Sequence, residues 1–328
     1  IACGLFWIVD TFNYLFIYLF KRLLNVPIYL IFSLFPLLLY YTSVPKLSTL
    51  KTDQTAEHLG YDILASSPDN AVVLLLEDTE VFNTSYVYLT SGSKAKNRNL
   101  KLIQTALLNQ PFYQEVLSRL YPELSIPRGQ DTDVLVAELI EKNYPRFPIV
   151  SSLRVNRPDS LVWIPRGLLF EVKLGTNSAS IKDLVDENTR IFSYMYDPLN
   201  GALSSYNHPM LSDVRRIYAR SYGEFGQTLF ALKYYSKAEM YYREAVRILP
   251  EISDYHTGLI WSLLLQEKCT NAIEELSNSE KQFVSDPEFI KLNALYARHC
   301  LKDPKKEAEF LEKFDQKLKE FQTPLKGF

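Results

Sequence analysis

"AVVLLLEDTEVFNTSYVYLTSG", Ala71 to Gly92, is the stretch on which the fold class turns. Its first part, Ala71–Asp78, is a continuous apolar run of strand length that ends in acid. That is the pattern of a strand covered on both faces. The remainder reads as a helix that stops at Gly92, because glycine suits the residue just past a helix end. Upstream, "TAEHLGYDILASS" (Thr55–Ser67) reads as a helix with Leu59, Ile63 and Leu64 on one face, and "SPDN" as a turn. Downstream, "LKLIQTALL" (Leu100–Leu108) reads as a second strand and "QPFYQEVLSRLYPEL" as a helix starting near Pro111. A helix at "DTDVLVAELIEKNY" and strand-like runs at "PIVSSLRV" and "LVWIPRGLLFEVKL" follow. Helix and strand alternate, which predicts a small layered α/β domain over residues 46–175, followed by a loop-rich connector over 176–212.

The chain has 328 residues, a net charge of -2 and a pI near 6.2. Without a basic surplus there is no electrostatic footprint for phosphate backbones, so nucleic-acid binding is not expected. Cys3, Cys269 and Cys300 are scattered, without CxxC spacing, and read as small core residues rather than a disulfide framework. His58, His208, His256 and His299 lack metal-ligand spacing, and there is no GxSxG, P-loop or dinucleotide fingerprint. Neither metal nor cofactor is expected.

The first forty-five residues concentrate the apolar side chains, although mean hydropathy over the chain is only -0.10. "LLNVPIYLIFSLFPLLLYYTSVP" (Leu23–Pro45) has no charged residue, and "GLFWIVDTFNYLFIYLF" precedes it. The reading is two transmembrane helices, 4–20 and 26–44, in a multi-pass membrane protein, since ~20 apolar residues cross ~30 Å of hydrocarbon. Lys21 and Arg22 between them set the cytoplasmic side and leave the rest of the chain outside the cytoplasm. The chain opens at Ile1 within an apolar run and is read as the downstream part of a longer protein.

From residue 213 to 328 the spacing becomes that of a short all-α tetratricopeptide helical array. Tyr222, Gly226, Ala238, Tyr242, Ala245 and Pro250 occupy the signature places of one repeat. Leu259, Leu263, Ala272 and Leu276 repeat the apolar positions one unit later, and a third unit is expected around "FIKLNALYARHCLKDPKKEAEFLEKF". Small residues at the signature places let two antiparallel helices approach closely, and aromatics fill the gap.

This order of parts resembles large bacterial multispan proteins related to the transmembrane O-mannosyltransferases, which have a GT-C glycosyltransferase architecture. In "EDTEVFNTSYVYLTSG" the residues Asp78, Glu80, Phe82, Tyr86 and Gly92 match that family's acidic and aromatic stretch. "ALLNQPFYQEVL" supplies Leu107, Leu108, Phe112 and Tyr113, and "WIPRGLLFEV" supplies Pro165, Gly167, Leu168 and Phe170. Glu77, Thr79, Ser85 and Glu171 depart from the pattern. The resemblance covers roughly residues 1–175. It implies transfer of sugar from a lipid-linked donor to an acceptor outside the cytoplasm, with the catalytic carboxylate on an outer loop upstream of this chain.

The acidic cluster has two readings. In one, Asp78, Thr79 and Glu80 cap a helix. In the other, Asp78, Glu80, Tyr86 and Tyr113 form an acceptor-binding site, with tyrosines stacking on sugar. Two carboxylates two residues apart do not make a hydrolase pair. The functions in play are an accessory region of a membrane glycosyltransferase, a membrane-anchored tetratricopeptide scaffold that binds a protein partner, and a sugar-binding module without transfer.

Overall fold

The structure, a computed structural model, describes residues 35–44, 51–91, 98–175, 181–201, 209–283 and 286–322. Residues Gln54–Phe328 form one compact unit. The expectation of two membrane-crossing helices is overturned: among the described residues no helix is long and apolar enough to cross a membrane. Of the second expected span, 26–44, the described part, residues 35–44, is helical. The first, 4–20, lies outside the described residues. An apolar run is a property of composition, whereas a span needs roughly twenty residues in one unbroken helix.

In the larger unit, helix α1 (Thr55–Ser66) leads into strand β1 (Val72–Leu75), α2 (Asp78–Thr90) and β2 (Lys101–Gln104). Helices α3 (Pro111–Leu120) and α4 (Thr132–Asn143) follow, then β3 (Ile149–Ser151) and the hairpin β4 (Leu161–Arg166) and β5 (Leu169–Leu174). The sheet order is β2-β1-β3-β5-β4, with β1 parallel to both β2 and β3 and the hairpin antiparallel. β1 is buried on both faces, as its unbroken apolar run predicts. Val73 and Leu75 pack with Leu59 and Ile63 of α1 and Val87 of α2. Val72 and Leu74 pack with Leu117 of α3 and Leu135, Leu139 and Ile140 of α4.

The β4–β5 turn hinges on Gly167, whose φ of +58° L side chains rarely adopt. A Cβ there would also stand 2.3 Å from Ser66 Oγ and 2.6 Å from Ile191. The Gly167 N–H donates to Asn188 Oδ1 at 2.8 Å, and the Leu168 N–H to Ser66 Oγ at 3.0 Å.

β2 is an edge strand, and its outward donors are covered. The N–H of Leu102 donates to Tyr121 Oη (3.2 Å) and that of Gln104 to Tyr113 Oη (2.9 Å). Two tyrosine hydroxyls thus occupy the places where another strand would pair.

The stretch read as a connector contains helix α5 (Ile181–Phe192). Val185 and Phe192 pack against the helices that follow. Those are α6 (Pro209–Ala231), α7 (Tyr235–Ile248), α8 (Ser253–Leu264), α9 (Cys269–Gln282) and α10 (Glu288–Tyr296). A short π-helical segment (Ala297–Leu301) then leads to α11 (Pro304–Gln322). Successive helices pack as pairs, and α6 with α8 and α8 with α10 lie side by side. α6 belongs to two cores at once. Val214, Ile217 and Tyr218 pack with the sheet layer, whereas Phe225 and Leu229 pack with α7 and α8. Cys269 and Cys300 are joined by a disulfide that ties the start of α9 to the segment after α10, which corrects their reading as separate core residues.

Candidate functional site

The acidic cluster faces α6. Glu80 is 0 % exposed and accepts a hydrogen bond from Arg220 at 3.0 Å. Arg216 binds Glu77 through both terminal nitrogens, at 2.9 and 2.8 Å, and Thr79 donates to Asp213 at 3.1 Å. Glu80 also reaches back to the Glu77 N–H at 3.4 Å, half of a capping box. Capping and docking therefore coincide: the same carboxylates that finish α2 fasten it to α6.

The four residues read as an acceptor site separate in space. Asp78 is exposed and accepts from Gln104 Nε2 at 3.1 Å, while Tyr113 accepts from the same residue's N–H, so these two meet at the end of β2. Glu80 points inward to Arg220. Tyr86 is 58 % exposed farther along α2, beside Phe82 and Leu89, which are exposed as well.

Of the residues read as a repeat signature, Gly226, Ala238, Tyr242 and Ala245 are buried on α6 and α7. Ala238 and Ala245 are fully buried, and Tyr242 lies over Gly226, where a Cβ would stand 3.3 Å from its ring. Tyr222 packs on Phe192 with ring centroids 4.6 Å apart, and Pro250 occupies the turn into α8.

A cavity of about 490 Å³ opens on the α6–α8 side of this pair. Tyr242 and Tyr255 wall it. Both depend on glycine: a Cβ on Gly258 would stand 2.3 Å from the Tyr242 ring, and one on Gly223 2.5 Å from the Tyr255 ring. Phe230 and Trp261 make a corner, 6.2 Å apart and nearly perpendicular. Arg220, Glu224, Gln227 and Asp254 supply the polar lining. Burial holds the Tyr242 phenol well above its ordinary range, and the Glu224 and Asp254 carboxylates push the same way. Burial raises Tyr255 to about 12; Arg220 opposes the shift, and Glu224 and Asp254 add to it. Sequence reading missed this cavity. Its signal was a pair of glycines, 223 on α6 and 258 on α8, each beside aromatics.

Buried His256 has Ser279 and Glu275 close by, which invites comparison with a catalytic triad. Ser279 Oγ (3.2 Å) and Glu275 (2.7 Å) both address Nδ1, and Nε2 is committed to the Pro250 carbonyl at 2.9 Å. A nucleophilic relay needs serine and carboxylate on opposite ring nitrogens. This is a packing network. Among the described residues no group of three His, Cys, Asp or Glu side chains is placed to hold a metal ion.

Comparison with known proteins gives no match among family models, curated proteins or solved structures.

Proposed function

We propose that this chain is a non-catalytic partner-binding scaffold, in which helices α6 to α10 form a tetratricopeptide-like array that receives an extended segment of another protein. The observation that carries this is the α6–α8 cavity. Its aromatic walls are fixed by glycine contacts, while exposed Gln227 and Asp254 at its lining are not consumed by the core. Ligand sites combine an apolar lining with a few polar groups in a volume of ~300–1,000 Å³. The burial of Gly226, Ala238, Tyr242 and Ala245 on α6 and α7 supports the repeat reading. The scaffold belongs in an oxidising compartment, outside the cytoplasm, a placement supported by the Cys269–Cys300 bridge. The glycosyltransferase-accessory reading keeps its motif resemblance, but Glu77 and Glu80 are engaged in holding α2 to α6.

The test is selection of binding peptides from a random phage-displayed library on the whole chain. Selected peptides should lose at least tenfold in affinity for Thr257→Trp, which fills the cavity from its rim, with the thermal midpoint unchanged. Peptides that bind both proteins equally would remove the cavity from the function.

A further inference from the structure

Three charged residues line the cavity, and only one of them is unbalanced. Arg220 is held by Glu80 at 3.0 Å, with Glu77 at 3.9 Å, so its positive charge is matched within the fold. Glu224 pairs with Arg154. Asp254, exposed in the first turn of α8, has no salt-bridge partner among the described residues. The site therefore carries a net negative charge.

The same cavity is lined by four aromatic residues, Phe230, Tyr242, Tyr255 and Trp261. The face of an aromatic ring is electronegative and attracts an ammonium or guanidinium group within ~6 Å, more strongly where water is excluded. An acidic ligand would meet Asp254 and Glu224 and find the Arg220 terminal nitrogens already engaged. A purely apolar ligand would leave Asp254 unused.

Resting on the partner-binding reading above, we infer that the cavity takes a lysine or arginine side chain from an extended peptide. The cationic head lies among the aromatic rings near Asp254. The field of Glu224 and Asp254, which helps hold protons on the Tyr242 and Tyr255 phenols, is the field that draws the cation in.

The experiment uses peptides from the phage selection, resynthesised and titrated against the whole chain by fluorescence anisotropy. The expected result is enrichment of Lys or Arg at one position. Replacing that residue with norleucine, which keeps the apolar stem and removes the charge, should weaken binding at least tenfold. Asp254→Asn should weaken the basic peptide severalfold, leave the norleucine peptide unaffected and leave the thermal midpoint in place. Equal binding of the norleucine peptide, or enrichment of acidic residues, overturns the cation inference and leaves the scaffold standing. Selected peptides indifferent to Thr257→Trp bring down both. Tetramethylammonium chloride titrated alone is the remaining arm: tight binding of that ion with no peptide selected overturns the peptide assignment in favour of a small ammonium ligand.

Discussion

Asp62 is a buried carboxylate whose removal should erase a pH dependence of stability. It is 3 % exposed, accepts from Tyr218 Oη at 2.5 Å and from the Tyr196 N–H at 2.9 Å, and so joins α1 to α6 and to the chain after α5. Burial pushes its pKa from 3.8 to about 6, against the opposing pull of those two hydrogen bonds. The folded protein therefore keeps this proton up to about pH 6, whereas the unfolded chain releases it near 3.8. Between those values the folded state binds more protons, so stability falls as pH rises. The whole effect is about 3 kcal/mol, two pK units at about 1.4 kcal/mol each, fully present below pH 3.8 and gone above 6. About 2 kcal/mol of it falls between pH 4.5 and 7.5. Asp62→Asn removes the titration and keeps an oxygen acceptor for both donors, while leaving its amide N–H groups without partners at ~1–3 kcal/mol. Urea unfolding of both proteins at several pH values gives the difference in stability, in which the other carboxylates cancel. Wild type minus Asp62→Asn should drop by about 2 kcal/mol from pH 4.5 to 7.5. Parallel profiles, constant to within about 0.5 kcal/mol, would falsify the assignment. If Asp62→Asn does not fold, Tyr218→Phe serves: losing that donor should move the titration upward.

Three further outcomes follow from packing. Glu80→Ala should cost about 3–5 kcal/mol in urea unfolding because it strands Arg220, whereas the double variant Glu80→Leu with Arg220→Met should lose far less and Asp78→Asn under about 1 kcal/mol. Equal losses from Glu80→Ala and Asp78→Asn would contradict the docking role. Gly167→Ala should lose at least about 2 kcal/mol, combining a left-handed backbone with displacement of Ser66 and Ile191, and an unchanged thermal midpoint would argue against that turn geometry. Cys300→Ser should lose about 3–4 kcal/mol, from the 31-residue separation that the bridge closes, and dithiothreitol should reproduce the loss in the wild type but not in the variant.

The parts legible in the sequence were those set by local pattern. β1 shows as an unbroken apolar run because both its faces are covered, and α2 follows from its acidic start. The spacing of Gly226, Ala238, Tyr242 and Ala245 places one helix against the next because close approach demands small residues there. α5 was equally open to reading, since Val185, Asn188, Ile191 and Phe192 recur at helical spacing and are buried. Other features depend on residues far apart in the chain. Glu80 meets an arginine 140 residues away, and no local pattern distinguishes that from a solvent-facing cap. Cys269 and Cys300 lie on separate helical elements and carry no flanking signature. Asp78 and Tyr113 do meet, but at Gln104, where the hydroxyl of Tyr113 covers a strand edge. The long apolar opening suggested spans because hydropathy measures composition, and among the described residues no helix is long and apolar enough to cross a membrane.

The seam of Glu77 and Glu80 with Arg216 and Arg220 has a consequence for how such a chain can change over generations. In an array of the kind proposed above each unit touches only its neighbours, so a whole unit can be copied without disturbing the rest. Here the opening helix, α6, is also a wall of the sheet layer, and its arginines answer carboxylates on α2. A duplicated copy of α6 and α7 placed downstream would carry those arginines where no carboxylates await them. Under the array proposed above, growth by duplication would have to lie beyond α7, because a copied α6 leaves its arginines without their carboxylates.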